Sequence, residues 1–279
     1  MLAGRYDCVL FDLDGVLYRG REAVPGAPET LESIRRSGTR VAFVTNNSSR
    51  TPEQVAAKLT GLGIAADADE VVTSALATAD LLAARGGGSA YVIGGEGVTR
   101  ALADAGLRVL DGEPDDADGV VVGIDEGLTY ARLRTACRLI RAGAAFVATN
   151  VDPTYPAEGG DLWPGGGAIV AAIATATGVE PEVVGKPFPP LFRSALGRAG
   201  GGTPLVVGDR LDTDIEGAAA LGWDTMLVLT GVTSRDELAR SDVRPTYLVE
   251  DVRALLRLEA RAARTGSGAQ KQSGRGGVR

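Results

Sequence analysis

The 279 residues include 29 Lys and Arg against 36 Asp and Glu, a net charge of -7, with 44% hydrophobic and 23% charged residues. These are the proportions of a globular chain with room for two domains, and they exclude disordered, collagenous and membrane classes. The chain has no histidine, which excludes phosphohistidine phosphatases, Ser-His-Asp hydrolases and His-ligated zinc enzymes; acid-base chemistry near neutral pH is left to carboxylates, Lys, Cys or Tyr.

Five of the 29 basic residues fall within 260–279, where there is no acid, so the rest of the chain sets 24 basic against 36 acidic residues. So acidic a body argues against a nucleic-acid partner, because phosphate backbones select clustered Lys and Arg. No apolar run reaches the roughly 18–20 residues that cross a bilayer, and the first residues lack a signal peptide's apolar stretch. A cytoplasmic protein with no membrane partner is therefore expected. Cys8 and Cys137 lie in apolar patterns and read as small buried hydrophobes, neither a disulfide nor a metal pair.

In chain order, short runs rich in Val, Ile, Leu or Phe at 8–13, 40–45, 90–93, 119–123, 145–149, 204–208, 225–229 and 246–249 predict strands. Between them, helices are predicted over 28–37, 51–62, 76–84, 97–105, 130–142, 167–177, 189–197, 214–221 and 234–239, several opened by Pro or a Ser/Thr cap. The βαβα alternation gives an α/β fold with a mainly parallel sheet. Turn-rich seams at Arg85-Gly-Gly-Gly-Ser89 and Thr177-Gly-Val-Glu-Pro181 bracket a segment with its own strands and helices. The expected division is a core of 1–86 and 181–260, an inserted domain of 87–180, and a low-complexity basic tail of 261–279 that is disordered.

Four segments carry chemistry. Val9-Leu-Phe-Asp12-Leu-Asp14-Gly ends an apolar strand in two carboxylates, the strand end at which open parallel sheets bind ligands. Aspartates this close resist joint ionisation unless a cation lies between them, and magnesium, a hard ion that prefers oxygen donors, meets that need. The strand at 40–45 runs into Thr45-Asn46-Asn47-Ser48-Ser49, whose hydroxyl, amide and backbone N–H groups suit phosphate oxygens. Val184-Gly-Lys186-Pro187 sets a lone lysine in a rigid turn, where it supplies positive charge to carboxylates and a phosphoryl group. Gly208-Asp209-Arg-Leu-Asp212-Thr-Asp214 again ends a strand in acids, one suited to bind metal and another, a turn later, to orient its shell. A nucleophile, a proton donor, metal ligands and charge clamps are the parts phosphoryl transfer needs.

In this order, Asp12-Leu-Asp14-Gly, Thr45-Asn46-Asn47, Lys186-Pro187 and Gly208-Asp209 through Asp214 resemble the four motifs of the haloacid dehalogenase-like hydrolase superfamily, over residues 6–255. The insert, with Thr149-Asn150-Val-Asp152-Pro-Thr-Tyr155-Pro156 and Pro164-Gly-Gly-Gly, is similar to the α/β cap of the nitrophenylphosphatase-like and phosphoglycolate phosphatase-like subfamily. The whole chain looks nearest to actinobacterial members described as glycerol 3-phosphate phosphatases. The resemblance implies a Rossmann-like doubly wound core with an inserted α/β cap, and a magnesium-dependent phosphatase. Asp12 would be the nucleophile and Asp14 the acid and base. Thr45, Asn46, Asn47 and Lys186 would hold the phosphate. Asp12, the Asp14 carbonyl and Asp209 would bind Mg2+, with Asp214 steadying the metal shell.

The acid two residues after Asp12 points to a phosphatase or a mutase, because related dehalogenases lack an acid there and ion-pumping ATPases carry threonine. The substrate class expected is a small phosphate monoester: glycerol 3-phosphate first, otherwise phosphoglycolate, a sugar phosphate or p-nitrophenyl phosphate. A phosphotransferase or mutase, or a silent binding protein, are the rival classes. Specificity is expected in the cap, with Tyr155 facing the substrate. The resemblance also suggests a homodimer through the cap.

Overall fold

The computed structural model describes residues 1–156 and 161–257; the tail expected at 261–279 lies outside them. The strands are β1 (Cys8–Phe11), β2 (Tyr18–Arg19), β3 (Glu22–Ala23), β4 (Arg40–Thr45), β5 (Val71–Thr73), β6 (Ser89–Ile93), β7 (Arg108–Leu110), β8 (Gly119–Val122), β9 (Ala145–Ala148), β10 (Thr154–Pro156), β11 (Leu162–Pro164), β12 (Glu182–Val183), β13 (Pro204–Gly208), β14 (Asp224–Val228) and β15 (Tyr247–Val249). The helices are α1 (Ala27–Arg36), α2 (Pro52–Gly61), α3 (Ser74–Ala84), α4 (Glu96–Asp104), α5 (Tyr130–Arg141), α6 (Gly166–Thr177), α7 (Pro189–Arg198), α8 (Glu216–Ala220) and α9 (Arg235–Arg240).

Two parallel sheets organise these elements. The larger has the order β15-β14-β13-β1-β4-β5 and the other β12-β9-β8-β6-β7. Strand side chains alternate between faces, and burial follows that period of two. Val9, Phe11, Val41, Phe43, Leu205 and Val207 enter one apolar cluster, while Cys8, Leu10, Ala42, Val44 and Val206 enter another. The second cluster continues into Val92, Val121 and Val147 of the inserted sheet, so the two sheets share apolar packing. Both cysteines are free and buried, as the sequence implied. Among the described residues no helix is long and apolar enough to cross a membrane.

Each of the eight predicted strands and nine predicted helices has a counterpart. The strands not anticipated are the three-residue β5 and β7, the antiparallel hairpins β2-β3 and β10-β11, and β12. Runs of two or three residues carry no period and become strands only by pairing, as when Val71 and Val72 line up with Phe43 and Val44. β12 pairs with β9 in the inserted sheet although it lies past the seam expected at 180. The predicted helix over 214–221 starts earlier, with a π-helical turn, Leu211–Ile215, before α8.

From central β1 the chain moves to β4 on one side and returns to β13 on the other. The carboxyl end of β1 is therefore a topological switch point, where open α/β sheets leave a crevice for ligands. Beneath it, Phe192 of α7 is fully buried and packs edge-on against Trp223, ring centroids 6.2 Å apart. Phe192→Ala is expected to lower unfolding free energy by about 3–5 kcal/mol, read as a lower denaturant midpoint for the full chain.

Candidate active site

β13, β1 and β4 lie side by side in the sheet, so their carboxyl ends bring Asp209, Asp12 and Thr45 to one edge. The Asp12 N–H donates to the Val207 carbonyl (2.8 Å), which extends the ladder one residue past β1. Lys186 arrives ahead of α7, and its peptide bond to Pro187 is cis. Its side chain is 5% exposed, and Nζ donates to Asp12 Oδ1 and to Asp214 Oδ1 (2.6 Å). The other Asp214 oxygen accepts the Arg210 N–H at 3.2 Å. One oxygen each from Asp12, Asp209 and Asp214 lies within 4.8 Å of the others.

Three carboxylates and one ammonium leave the centre short of positive charge. Burial pushes the Asp12 carboxyl up to about 8, Lys186 opposing and Asp214 and Asp209 adding to the rise. Asp209 is pushed up to about 6, by burial first and then by Asp214. Burial disfavours the Lys186 charge, yet Asp12 and Asp214 outweigh it and hold the ammonium above the ordinary lysine range. A divalent cation relieves this crowding, and an all-oxygen donor set suits a hard one.

The backbone is shaped to the same end. Asp209 Oδ2 accepts the Val232 N–H at 2.7 Å. A Cβ on Gly231 would stand 1.9 Å from that oxygen, and one on Gly15, at φ +79°, 2.5 Å. Only glycine lets both chain segments close on the carboxylate.

Asn46 does something that its type did not announce. Its Oδ1 accepts the Lys186 N–H (2.7 Å), while Nδ2 donates to the Lys186 carbonyl (3.1 Å) and to both Asp152 oxygens (3.2 Å each). The amide expected to hold phosphate is thus occupied in fixing the lysine backbone. Asn150 Nδ2 and Ser74 Oγ both donate to the Asn46 carbonyl at 2.7 Å. The Asn47 N–H donates to Thr45 Oγ1 (3.1 Å), and Asn47 Oδ1 accepts the Ser49 N–H (2.9 Å), which folds the loop in a tight turn.

Asp14 is exposed, and the surrounding protein raises its carboxyl above the ordinary value, with the Lys58 ammonium opposing. Its carboxylate is outside the three-acid cluster. All nine residues expected at the site line one cavity of about 760 Å³. Tyr155 of β10 donates to Glu126 Oε1 at 2.8 Å and packs edge-on against Trp163 at 6.2 Å.

The cavity also includes Arg50, Lys58, Glu126, Asp152 and Arg210, to which sequence reasoning gave no role. Asn150 and Asp152 stood in a recognisable motif. Lys58, over the Tyr18 ring at 3.7 Å, sits on a helix face whose orientation only packing decides.

Residues 9–108 match the haloacid dehalogenase-like hydrolase family, and residues 183–255 match a second HAD-hydrolase-like description. The D-glycerol 3-phosphate phosphatase of Mycobacterium tuberculosis is 45% identical over 91% of this chain and 72% of its own length. An acid sugar phosphatase of Staphylococcus saprophyticus is 42% identical over 90% of this chain and 97% of its own. A crystal structure of glycerol phosphate phosphatase from Mycobacterium tuberculosis in complex with magnesium superposes with a TM-score of 0.85, at 45% identity, over 91% of this chain and 77% of that one. The chain therefore belongs to the haloacid dehalogenase-like hydrolase family. Within that family it is a phosphoric monoester hydrolase with a Rossmann-like core and an inserted α/β cap.

Removing the Asn46 amide frees Lys186 from its backbone clamp. Asn46→Ala is expected to reduce kcat roughly 10–100-fold, as loss of an orienting partner does at metal sites. Steady-state phosphate release checks this, with circular dichroism to verify that the fold persists.

Proposed function

We propose that the enzyme hydrolyses small phosphate monoesters, glycerol 3-phosphate foremost, through a phosphoryl group carried on Asp12. The clustering of Asp12, Asp209 and Asp214 at the carboxyl ends of β1 and β13, with Lys186 paired to Asp12 and Asp214, is the observation that carries this reading.

Asp12 is the nucleophile because it is the better fixed of the two motif aspartates: its side chain is 15% exposed and held by Lys186. A fixed nucleophile enters the reaction with little orientational freedom left to lose. A carboxylate oxygen of Asp12 attacks phosphorus as the bond to the ester oxygen breaks. Asp14 donates a proton to that departing oxygen, a role suited to a carboxyl whose proton affinity is raised. The ionised Asp14 then takes a proton from water; the hydroxide oxygen bonds to phosphorus, the bond to Asp12 breaks, and inorganic phosphate leaves with Asp12 restored.

Lys186 neutralises Asp12 and the transferring oxygens, and the turn at Thr45 to Asn47 positions the phosphate with Asn46 holding the lysine. Magnesium is the proposed cation, held by Asp12, the Asp14 carbonyl and Asp209, with Asp214 orienting the shell. When bound it supplies positive charge that screens the phosphoryl oxygens from the carboxylates. Glycerol 3-phosphate is favoured as substrate by the likeness to the mycobacterial phosphatase.

Asp12→Asn should abolish turnover while the fold persists; a tenth of wild-type activity remaining would refute the covalent route. Exhaustive treatment with EDTA should stop phosphate release and excess magnesium should restore it, so activity that survives chelation counts against the cation. A panel of esters tests the substrate: glycerol 3-phosphate hydrolysed no faster than p-nitrophenyl phosphate, while another metabolite is far better, overturns that choice.

A further inference from the structure

The cap offers the cavity a carboxylate, Glu126, whose chemistry the proposed reaction leaves unused. Glu126 follows β8, lines the 760 Å³ cavity, and also borders an adjoining cavity of about 670 Å³. It is exposed, and among the described residues it forms no ion pair. Its one bonded oxygen, Oε1, accepts the Tyr155 hydroxyl.

The loop that carries it is fixed by its neighbour. Asp125, with its side chain 7% exposed, pairs with Arg132 at 2.5 Å, and Arg132 also donates to the Val92 carbonyl at 2.9 Å. The other Asp125 oxygen accepts the Gly127 N–H at 2.9 Å. Asp125 is thus anchored inward on both oxygens while Glu126, next in the chain, reaches the cavity. Tyr155 is itself braced by Trp163. A carboxylate held on a rigid loop, with one oxygen taken by a phenol and the other without a protein donor among the described residues, is prepared to accept hydrogen bonds from a ligand.

We infer that Glu126, positioned by Tyr155, reads hydroxyl groups on an uncharged leaving alcohol and disfavours leaving groups that carry a carboxylate. Hydroxyls donate to an ionised carboxylate in charge-assisted bonds, whereas a second anion meets a like charge with no cation paired to it. The substrate class this selects is a single phosphate on a short polyol. The inference rests on the phosphatase reading and narrows its leaving group.

The experiment measures kcat/KM of the full chain with magnesium for three esters: glycerol 3-phosphate, 2-phosphoglycolate and p-nitrophenyl phosphate. In Glu126→Gln and Glu126→Ala, the ratio of glycerol 3-phosphate to p-nitrophenyl phosphate is expected to fall by roughly tenfold, the effect of one hydrogen bond to a charged group. The ratio of 2-phosphoglycolate to p-nitrophenyl phosphate is expected to rise in both variants. Tyr155→Phe, which keeps the carboxylate but loses its brace, should shift the first ratio in the same direction by less. Parallel loss on all three esters would make Glu126 a structural prop of the hairpin and overturn the inference, as would ratios that do not move. Failure of the wild-type chain on every ester overturns the phosphatase reading itself, and the inference with it.

Discussion

Lys186 is a buried ammonium held between two carboxylates, and the site is arranged around that charge. An ion taken out of water is tolerated only when paired, and stripping away one partner of a buried pair costs about 3–5 kcal/mol. Asp12 stands at the end of β1 and Asp214 in the turn after β13, so they meet only because those strands are neighbours. The lysine reaches them from the segment where the chain re-enters the core. Its backbone is clamped by Asn46 from the end of β4, which joins three strand ends through one side chain. Asp209 adds to the negative charge that Lys186 leaves unbalanced, a crowding that a divalent cation would relieve.

The same loop that clamps the lysine seats the cap. Asp152 and Asn150 bind Asn46, and Thr149 Oγ1 lies 3.0 Å from Ser48 Oγ as its donor. The Gly97 N–H donates to the Ser49 carbonyl at 3.1 Å, and a Cβ on Gly97 would come within 2.5 Å of the Ser48 and Arg50 carbonyls. Residues 46–50 therefore form a seam of polar contacts that joins the clamp on the lysine to the cap.

Cavity chemistry differs between its two sides. The core supplies Asp12, Asp14, Asp209 and Asp214 together with the cations Lys186, in the centre, and Arg50 and Lys58, on its margin. The cap supplies Tyr155, Asp152 and Glu126, which are hydrogen-bonding and acidic. On the proposed mechanism, reaction chemistry stays in the core, and the insert is where selectivity for the alcohol would lie.

Legibility from sequence followed the length scale of the interactions. The strand runs ending at Asp12, Thr45 and Asp209 and the alternating helices were readable because burial imposes local periods, and the missing histidine limited the chemistry before any folding was considered. The glycine after Asp14 and the lone lysine before Pro187 marked the site, since backbone freedom and fixed charge are local properties. What Asn46 bonds, why Gly231 must lack a side chain, that β12 belongs to the inserted sheet, and that Glu126 lines the same cavity as Asp12 were decided only by the tertiary structure. Each depends on a partner distant in the chain, where loop closure and packing choose the neighbour and residue type alone carries no record of it.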